Sequence, residues 1–420
     1  MNSLMMKRAG FSPARLQRLA DRMRELTGSG ALPGIAVAVS RRGKTVFFEG
    51  FGSADFESHR EVREDTLFRI YSITKTFTCV ALMSLWEEGR VRLDDPVSAY
   101  LPEFGEVRVH SGSPDGKAAA ERGTSEEQPT RHITIRDLLV HTSGIAYPFN
   151  IEDPGIKSRY MQAEILRPDR SLAEMVNILA ELPLLFHPGT GYLYSHSTDV
   201  AGRIVELVSG RELDRCFEER ILGPLRMRDT GFYASPARMD HLAALYVPAA
   251  HGPPILVDRP SESMYCSRPN LLIPGSGLMS TLGDCLKLAR AFLAKGALDG
   301  KRILARRTVG YMSLNHVPVS LLPANGFGQG FGVLVCTDPV QGIPMASRGA
   351  FCKGGAGGSL IWVDPREELC FVLMSQLISP QLVSHFPYLF SEELPPEGGF
   401  CDPSVDLIST VHTLIYQALE

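Results

Sequence analysis

A serine and a lysine three residues apart stand at the head of an apolar segment. Ser72-Ile73-Thr74-Lys75 opens a run, Thr76 to Trp86, that contains no charged side chain. A helix that is apolar nearly all round is a buried helix, and residues three apart lie on one helical face. Lys75 can therefore reach the Ser72 hydroxyl, and burial lowers the pKa of a lysine so that its neutral amine can accept a proton. The unpaired N–H groups at a helix start also stabilise a developing negative charge, so the pattern indicates an activated serine nucleophile.

The same four residues also have an ordinary structural interpretation. Serine is a favoured N-cap, and the spacing S-x-x-K arises by chance in long chains. The rival G-x-S-x-G motif of α/β-hydrolases does not occur in this chain. An S-x-x-K enzyme needs a second polar motif and a K-x-G on a strand. Tyr194-Ser195-His196 and Lys353-Gly354-Gly355 supply both in that order, which favours the catalytic interpretation.

The elements that position these motifs alternate between strand and helix patterns. Gly34 to Asp55 reads as a hairpin around a polar turn, and the buried helix runs from Ser72 to near Gly89. Further helices are predicted at 171–185, 198–208, 282–295 and 405–419, and further strands at 331–336, 359–362 and 370–375. Strands at both ends and helices between them predict an α/β (α+β) fold, with an antiparallel sheet built from both termini, flanking helices and an inserted, mostly helical lobe.

We expect a single catalytic domain over residues 1–420. Residues 1–90 and 270–420 would form the α/β lobe, and 91–269 the mainly helical lobe. Two stretches lack periodicity and are predicted as loop insertions. The stretch 106–131 is polar and reads as a surface insertion, whereas 151–170 is partly charged and reads as a candidate lid or substrate-side loop.

Composition restricts the classes of function. The chain has 420 residues, 44% of them hydrophobic, with a net charge of −4, which leaves no basic footprint for nucleic acid. No apolar run approaches the roughly 18 residues of a membrane span, and the N-terminal segment lacks the apolar core of a signal peptide, so we expect a cytoplasmic protein without membrane partners. The eight cysteines are scattered and expected to be reduced. No zinc motif occurs, and neither metal nor organic cofactor is expected; oligomeric state is not determined by the sequence.

Five ordered blocks point to a known family. From about Ala31 to Gln376 the chain resembles the serine β-lactamase and penicillin-recognising superfamily, in its class C β-lactamase-like branch, which includes the family VIII carboxylesterases. The resemblance is carried by SITKTFTCVALMSLWEEGRVRLDDPVSAYLPEF, ITIRDLLVHTSGI, PGTGYLYSHSTDVAGRIVE, GSGLMSTLGDCLKLARAFL and KGGAGGSLIWVDP. Five blocks in order are far more specific than one short motif.

The resemblance implies a role for each motif residue. Ser72 would be the acylated nucleophile, with Lys75 and Tyr194 as general base and proton shuttle. A lysine cation beside Tyr194 would favour its phenolate, or a neutral Lys75 could take the proton itself; the sequence leaves both open because coupled groups titrate together. The backbone N–H groups of Ser72 and Ala356 would form the oxyanion hole.

The third motif and the end of the second are implied to bind substrate, through Lys353, Gly354, Gly355 and His196. Several of the motif residues also have a structural alternative. Lys353 could be a solvated lysine at a strand end, and the two glycines could be sites of close backbone approach. Tyr194 could be an ordinary core tyrosine. Two departures from the family pattern matter. His196 stands where class C β-lactamases have an amide-binding Asn, and K-G-G replaces K-T-G.

These departures favour esters over β-lactams, since an imidazole cannot reproduce the donor and acceptor geometry of an amide. The expected function is a serine hydrolase that cleaves small to medium carboxylic esters through a Ser72 acyl-enzyme. The alternatives are a class C-type β-lactamase or D-amino-acid peptidase, an acyltransferase, and a non-catalytic ligand-binding scaffold of the same fold.

Overall fold

An antiparallel sheet of eight strands joins the two ends of the chain. The computed structural model describes residues 3–30, 32–110, 126–249, 252–392, 394 and 404–420. Its strands are β1 (Gly34–Arg41), β2 (Lys44–Asp55), β3 (Arg60–Glu61), β4 (Phe68–Arg69), β5 (Val109–His110), β6 (Glu126–Glu127), β7 (Leu245–Val247), β8 (Ile255–Asp258), β9 (Met279–Ser280), β10 (Ala297–Leu298), β11 (Lys301–Arg302), β12 (Phe327–Gln329), β13 (Leu334–Cys336), β14 (Phe351–Gly355), β15 (Ser359–Asp364) and β16 (Leu369–Ser375).

The strand order of the large sheet confirms the predicted construction from both termini. It runs β12-β13-β14-β15-β16-β1-β2-β3, and every neighbouring pair is antiparallel. β1 pairs with β16 from Ile35 opposite Ser375 to Arg41 opposite Leu369, so the N-terminal hairpin adds directly to the C-terminal strands. The remaining strands pair in twos.

Helices cover both faces of this sheet. They are α1 (Ser3–Arg8), α2 (Pro13–Gly28), α3 (Thr74–Glu87), α4 (Ile135–Val140), α5 (Pro154–Gln162), α6 (Leu172–Glu181), α7 (Ser197–Ser209), α8 (Leu213–Phe217), α9 (Gly223–Leu225), α10 (Leu282–Leu293), α11 (Arg306–Met312), α12 (Pro380–His385) and α13 (Ser404–Tyr416). None of these helices is long and apolar enough to cross a bilayer, within the part of the chain that the structure describes.

Side chains of β1 alternate between two hydrophobic cores, as the pleat of a strand requires. Ile35, Val37 and Val39 face the core that contains α2 and α13. Ala36 and Ala38 face the larger core on the opposite side, which contains α3, α7 and α10. The terminal helices therefore cover one face of the sheet, and the helices next to the motifs cover the other.

Helix α3 has the all-round apolar surface predicted for it, and every residue from Thr74 to Leu85 is buried. A helix that buries its whole surface has little freedom to shift or rotate, because protein interiors are close-packed. The motif at its head is thereby held at a defined position within the larger core.

The stretch 151–170 is more ordered than predicted. It contains α5, whose N-cap Asp153 accepts a hydrogen bond from the Ile156 N–H at 2.9 Å. Ile156 and Tyr160 lie four residues apart and are both buried, and the Tyr160 hydroxyl donates to the Pro183 carbonyl at 2.9 Å. The expectation of an irregular segment is wrong here, because one short apolar face is enough to hold a helix against the core.

The predicted insertion at 106–131 falls largely outside the described residues, which exclude 111–125. The segments that flank the excluded stretch meet as the paired strands β5 and β6, with Val109 opposite Glu127. The division into an α/β lobe and a helical lobe stays a prediction.

Candidate active site

Ser72 lies on a sharp turn immediately before α3. The turn is a short 3₁₀ segment, Tyr71–Ile73, and Tyr71 has a φ of 41°, a left-handed conformation that non-glycine residues seldom adopt. The strand β14 approaches this turn closely, since a Cβ atom on Gly355 would lie 2.3 Å from the Ile70 carbonyl oxygen. Gly355 is therefore needed for close approach of two backbones and does not line the adjacent cavity.

The Lys75 amine is surrounded by oxygen atoms. Its Nζ lies 3.4 Å from Ser72 Oγ, 3.0 Å from the Tyr147 hydroxyl and 2.8 Å from the Gly275 carbonyl oxygen. The side chain is 1% exposed. An ammonium group has three donors and no acceptor, so three oxygen neighbours match its charged form.

The electrostatic surroundings of Lys75 differ from the sequence-based expectation. Burial acts to lower the pKa of Lys75, but the oxygens of Tyr147 and Tyr194 and the carboxylate of Asp199 outweigh it, and the pKa is raised. This direction favours the charged form of Lys75 over the neutral amine. The sequence could not show this because the three compensating groups are remote along the chain.

Tyr194 lies between two lysines. Lys353 Nζ is 3.2 Å from the Tyr194 hydroxyl and 4.6 Å from its ring centroid, and Lys75 Nζ is 4.8 Å from the same centroid. Burial raises the pKa of the Tyr194 phenol, but the positive charges of Lys353 and Lys75, assisted by a hydrogen bond with Ser72, lower it to about 8. A minor fraction of phenolate is then present at neutral pH and rises as the pH approaches 8, so Tyr194 can act as a proton acceptor.

Sequence reasoning missed Tyr147. This tyrosine is 6% exposed, hydrogen-bonded to Lys75, and in ring contact with Tyr194 at 5.8 Å between centroids. Burial and the Asp199 carboxylate raise its pKa, with burial the larger cause, so it remains a neutral hydroxyl that orients Lys75. The sequence signal that could have identified Tyr147 is its position two residues after the HTSGI block.

His196 does not reach the cavity, contrary to the expectation that it contacts substrate. It has no exposed surface, and its ring lies behind Tyr147 at 4.1 Å between centroids. Its Nδ1 lies 2.8 Å from Asp199 Oδ2, whereas its Nε2 has no partner in the part of the chain described. The side chain of His196, which stands where the resemblance expects an amide-binding Asn, points into the protein interior. There it packs against Tyr147, the tyrosine that is hydrogen-bonded to Lys75.

Asp199 connects His196 to Lys75 through the backbone of Gly275. Its carboxylate is buried and accepts the Gly275 N–H at 2.6 Å, and the carbonyl of Gly275 in turn accepts from Lys75. Asp199 lies in the first turn of α7, three residues after His196, so one helical face presents both side chains. The buried Asp199 carboxylate favours the cationic form of the nearby Lys75.

The backbone N–H groups of two residues were expected to form an oxyanion hole. Ser72 and Ala356 both line the cavity, and Ala356 directly follows β14. Among the described residues, neither N–H donates to a carbonyl or side chain outside its own element. Unengaged amides at a helix start and a strand end are suited to stabilise a tetrahedral oxyanion.

The cavity above Ser72 has a volume of about 500 Å³. Its floor contains Ser72, Tyr194, Lys353 and Gly354, and Tyr147 also lines it. Its walls are mostly apolar: Tyr71, Phe149, Leu166, Tyr192, Leu322, Pro323, Phe327, Leu334, Ile378, Leu382, Phe386, Leu389 and Phe390. Phe149 and Leu166 lie on either side of α5 and line this cavity, and the role of 151–170 as a lid or substrate-side loop stays a prediction.

The described residues hold no cluster of His, Cys, Asp and Glu side chains suited to a metal ion. The cysteine next to the third motif, Cys352, is buried, and burial raises the pKa of its thiol to about 12. A protonated buried thiol is a poor nucleophile. The reactive groups at this cavity are thus Ser72 and its lysine and tyrosine neighbours.

Comparison with known proteins identifies the family of this chain. The beta-lactamase family model matches residues 19–383, and the chain belongs to that family. Esterase EstB from Burkholderia gladioli is 31% identical over 389 residues, which cover 86% of this chain and 90% of EstB.

Two solved structures have the same fold. EstCE1, described as a hydrolase with promiscuous acyltransferase activity, superposes with a TM-score of 0.73 at 25% identity and covers 90% of this chain and 98% of its own. Simvastatin synthase (LovD) from Aspergillus terreus superposes with a TM-score of 0.75 at 22% identity, covering 96% and 98%. The chain is therefore similar to serine hydrolases and acyltransferases of this family.

Proposed function

We propose that this chain is a carboxylesterase that forms an acyl-enzyme on Ser72. The observation that carries the proposal is the position of Ser72, whose Oγ lies 3.4 Å from Lys75 Nζ and which lines a large, mostly apolar cavity together with Tyr194. A nucleophile, a base, unengaged N–H groups and room for a substrate are together at one place.

Acylation follows from the charges around Tyr194. Its phenolate accepts the proton of Ser72 while Ser72 Oγ attacks the ester carbonyl carbon. The oxyanion that forms is held by the N–H groups of Ser72 and Ala356. When the tetrahedral intermediate collapses, the C–O bond to the alcohol breaks, and Tyr194 returns its proton to the leaving alkoxide. Ser72 then carries the acyl group, and Tyr194 is again a phenolate between two lysines.

Deacylation repeats the same steps with water in place of Ser72. Tyr194 takes a proton from the water as its oxygen attacks the acyl carbon, and it returns that proton to Ser72 Oγ when the carboxylic acid leaves. Lys75 stays protonated throughout, because its three oxygen neighbours satisfy its donors. Its function is to lower the pKa of Tyr194 and to orient Ser72.

Acyl transfer is the second candidate activity. An alcohol in place of water would accept the acyl group by the same proton transfers, and the apolar cavity offers room for such an acceptor. The description of EstCE1 as a hydrolase with promiscuous acyltransferase activity supports this alternative. β-Lactam or D-amino-acid peptide hydrolysis has less support, because His196 is turned away from the cavity and Lys353 is engaged with Tyr194. The cytoplasmic location stays a prediction.

A parallel assay tests the proposal. The wild-type protein and Ser72→Ala would be given p-nitrophenyl butyrate, nitrocefin and a fluorophosphonate probe. We expect butyrate ester hydrolysis well above nitrocefin turnover, and probe labelling that requires Ser72. Faster nitrocefin turnover than ester turnover would replace the esterase assignment with the β-lactamase alternative. A folded wild-type protein that neither labels nor hydrolyses would point to a non-catalytic scaffold.

A further inference from the structure

The segment that leads into Ser72 is bonded to a side-chain amide from the C-terminal part of the chain. Gln376 directly follows β16, is 2% exposed, and lies 307 positions from Arg69. Its Oε1 accepts the Arg69 N–H at 3.1 Å, and its Nε2 donates to the Arg69 carbonyl at 3.1 Å. The amide thus pairs with both backbone groups of Arg69, as a residue on a neighbouring strand would. Because β4 pairs with β9 in a separate two-stranded sheet, Gln376 joins that sheet to the large one.

Arg69, the partner of this amide, is itself held firmly. Its buried guanidinium donates to Asp258 Oδ2 at 2.5 Å, to the Ala243 carbonyl at 2.6 Å and to Gln376 Oε1 at 3.1 Å. Asp258 is buried as well, so the ion pair is shielded from water. Breaking a buried ion pair leaves an uncompensated charge and is strongly unfavourable. The chain is therefore fixed at Arg69, three residues before Ser72, through both its side chain and its backbone.

The same part of the chain also contacts the segment that carries Ala356. The N–H of Leu377, the residue after Gln376, donates to the Gly357 carbonyl at 3.1 Å. A Cβ atom on Gly357 would lie 3.0 Å from Gln376 Nε2 and 3.2 Å from Tyr71 Cε2. The turn that contains Ala356 therefore packs against Gln376 and against the residue before the nucleophile. Two consecutive residues thus bond to both segments whose N–H groups were expected to hold the oxyanion.

The backbone of Tyr71 requires such support. Its φ of 41° lies in the left-handed region, which a residue with a Cβ atom keeps only when its surroundings hold it there. Gln376 holds the chain two residues before Tyr71, and the Leu278 carbonyl accepts the Ile70 N–H at 3.0 Å. Loss of the amide would release one of these restraints, and relaxation of the turn would displace the N–H of Ser72. A displacement of about 1 Å at a reacting centre costs on the order of 10²-fold in rate.

We infer that Gln376 is a positioning residue of the oxyanion hole, whose amide sets the spacing between the N–H groups of Ser72 and Ala356. The inference rests on the proposed acyl-enzyme function and extends it to a residue that does not line the cavity. The described hydrogen bonds of the Gln376 side chain go to Arg69 and to a backbone carbonyl, not to the proton-transfer groups. Its removal should therefore weaken binding of the transition state while substrate affinity and the pKa of Tyr194 stay unchanged.

Gln376→Met tests the inference, with Tyr416→Phe as the control. Methionine has a similar length but no amide, so the bonds to Arg69 are lost. Titration with a fluorophosphonate probe gives the number of competent sites, and kcat is expressed per labelled site. For p-nitrophenyl butyrate we expect kcat to fall by about tenfold or more and KM to change by less than about threefold. The apparent pKa of about 8 in kcat/KM should not move. Tyr416→Phe also loses a buried hydrogen bond but should keep its kcat per labelled site.

A transition-state analogue separates positioning from binding. Ser72 Oγ adds to the carbonyl carbon of 1,1,1-trifluoro-2-hexanone, its proton passes to Tyr194, and the carbonyl oxygen becomes an oxyanion. The matched alcohol 1,1,1-trifluoro-2-hexanol binds without this addition. In Gln376→Met the inhibition constant of the ketone should rise by about tenfold or more, whereas that of the alcohol should not change. Equal increases for both compounds, a shifted pKa, or a loss of activity that disappears when kcat is expressed per labelled site would each overturn the inference.

Gly357→Ala provides the test if Gln376→Met does not fold. The added methyl group would crowd Gln376 Nε2 and the Tyr71 ring but removes no hydrogen bond. We expect the same pattern of lower kcat and weaker ketone binding with unchanged binding of the alcohol. A folded Gly357→Ala variant with the kcat and ketone affinity of wild type would overturn the inference. The proposed function fails separately, when folded wild-type protein is neither labelled by the probe nor able to hydrolyse the ester.

Discussion

Tyr194 in the candidate active site and Tyr416 in the C-terminal helix are both packed against charged groups, but these charges are of opposite sign. Lys353 and Lys75 flank Tyr194 and lower its pKa to about 8 against the opposing effect of burial. Tyr416 donates to Asp364 Oδ2 at 2.6 Å and accepts from Trp362 Nε1 at 3.0 Å; burial and then Asp364 raise its pKa. The sign of the neighbouring charge therefore separates a tyrosine that can exchange protons from one that holds a helix in place.

The residues around Tyr194 and those around Tyr416 form two clusters, which also differ in the surroundings of their polar atoms. Around Ser72 the hydrogen-bonded groups surround an open cavity, so a substrate can reach them. Tyr416 is 6% exposed, and His412 stacks on it at 4.2 Å between ring centroids, with both nitrogens of the His412 ring unpaired in the described structure. We expect changes in the first cluster to affect activity and changes in the second to affect stability.

The largest expected effect is loss of the nucleophile. Ser72→Ala should lower ester hydrolysis by about 10⁴-fold or more, as removal of a catalytic serine does elsewhere. Its thermal unfolding midpoint should stay within a few degrees of wild type, because Ser72 lines a cavity and fills no core site. Steady-state kinetics and circular dichroism melts measure the two quantities. Substantial activity in the folded variant would remove Ser72 from the mechanism.

Removal of the two tyrosine hydroxyls tests the comparison directly. Tyr194→Phe should lower the acylation rate by at least about 10²-fold, the scale of general-base removal. Tyr416→Phe should leave kcat/KM near wild type but lower the free energy of unfolding by about 1–3 kcal/mol, since a buried hydrogen bond to a carboxylate is lost. Pre-steady-state bursts and urea denaturation provide the measurements. An active Tyr194→Phe variant would contradict the assignment of Tyr194 as the base.

A double mutant shows whether Lys75 and Tyr194 act together. Lys75→Ala alone should also cost at least about 10²-fold in acylation, because the cation that favours the phenolate is lost. The double mutant Lys75→Ala/Tyr194→Phe should lose much less than the product of the two single losses. Multiplicative losses would mean that the two residues serve separate steps.

The free energy of unfolding should depend on pH through His412, which stacks on Tyr416. Burial, partly offset by Asp364, lowers the pKa of His412 to about 4. An unfolded histidine takes up its proton near pH 6.5, so the unfolded state binds more protons between about pH 6.5 and 4, and stability falls as pH decreases through that range. The His412 contribution at pH 5 should be a loss of about 2 kcal/mol relative to pH 7. Unfolding free energies of wild type and His412→Phe at both pH values measure it; the same pH dependence in His412→Phe would assign the loss to other groups.

The smallest predicted effect is a shift in the pH dependence of catalysis. Tyr194 must be deprotonated to act, so kcat/KM of wild type should rise with pH through an apparent pKa of about 8. Lys353→Met removes one of the two cations, so this pKa should increase and activity at pH 7 should fall by about tenfold, recovering at higher pH. An unshifted profile with uniformly lower activity would mean that Lys353 contributes only to binding.

Much of the fold and the central pair of the site could be predicted from the sequence. Ser72 and Lys75 are related by local spacing at the head of α3, and the absence of charge from Thr76 to Trp86 predicts the burial of that helix. Strand patterns at both ends of the chain predicted the antiparallel sheet, which β1 and β16 complete. These features depend on periodicity, which a sequence displays directly.

Contacts between distant residues were decided by the tertiary structure alone. Tyr147 reaches Lys75 across 72 positions of sequence, and Lys353 reaches Tyr194 across 159. These contacts, with Asp199, set the charge of Lys75 and the pKa of Tyr194, and no local pattern records them. His196 was placed by its motif but turned inward by α7, where Asp199 holds its ring. Local spacing determines which side chains share one element, whereas desolvation and electrostatic interaction depend on which elements pack together.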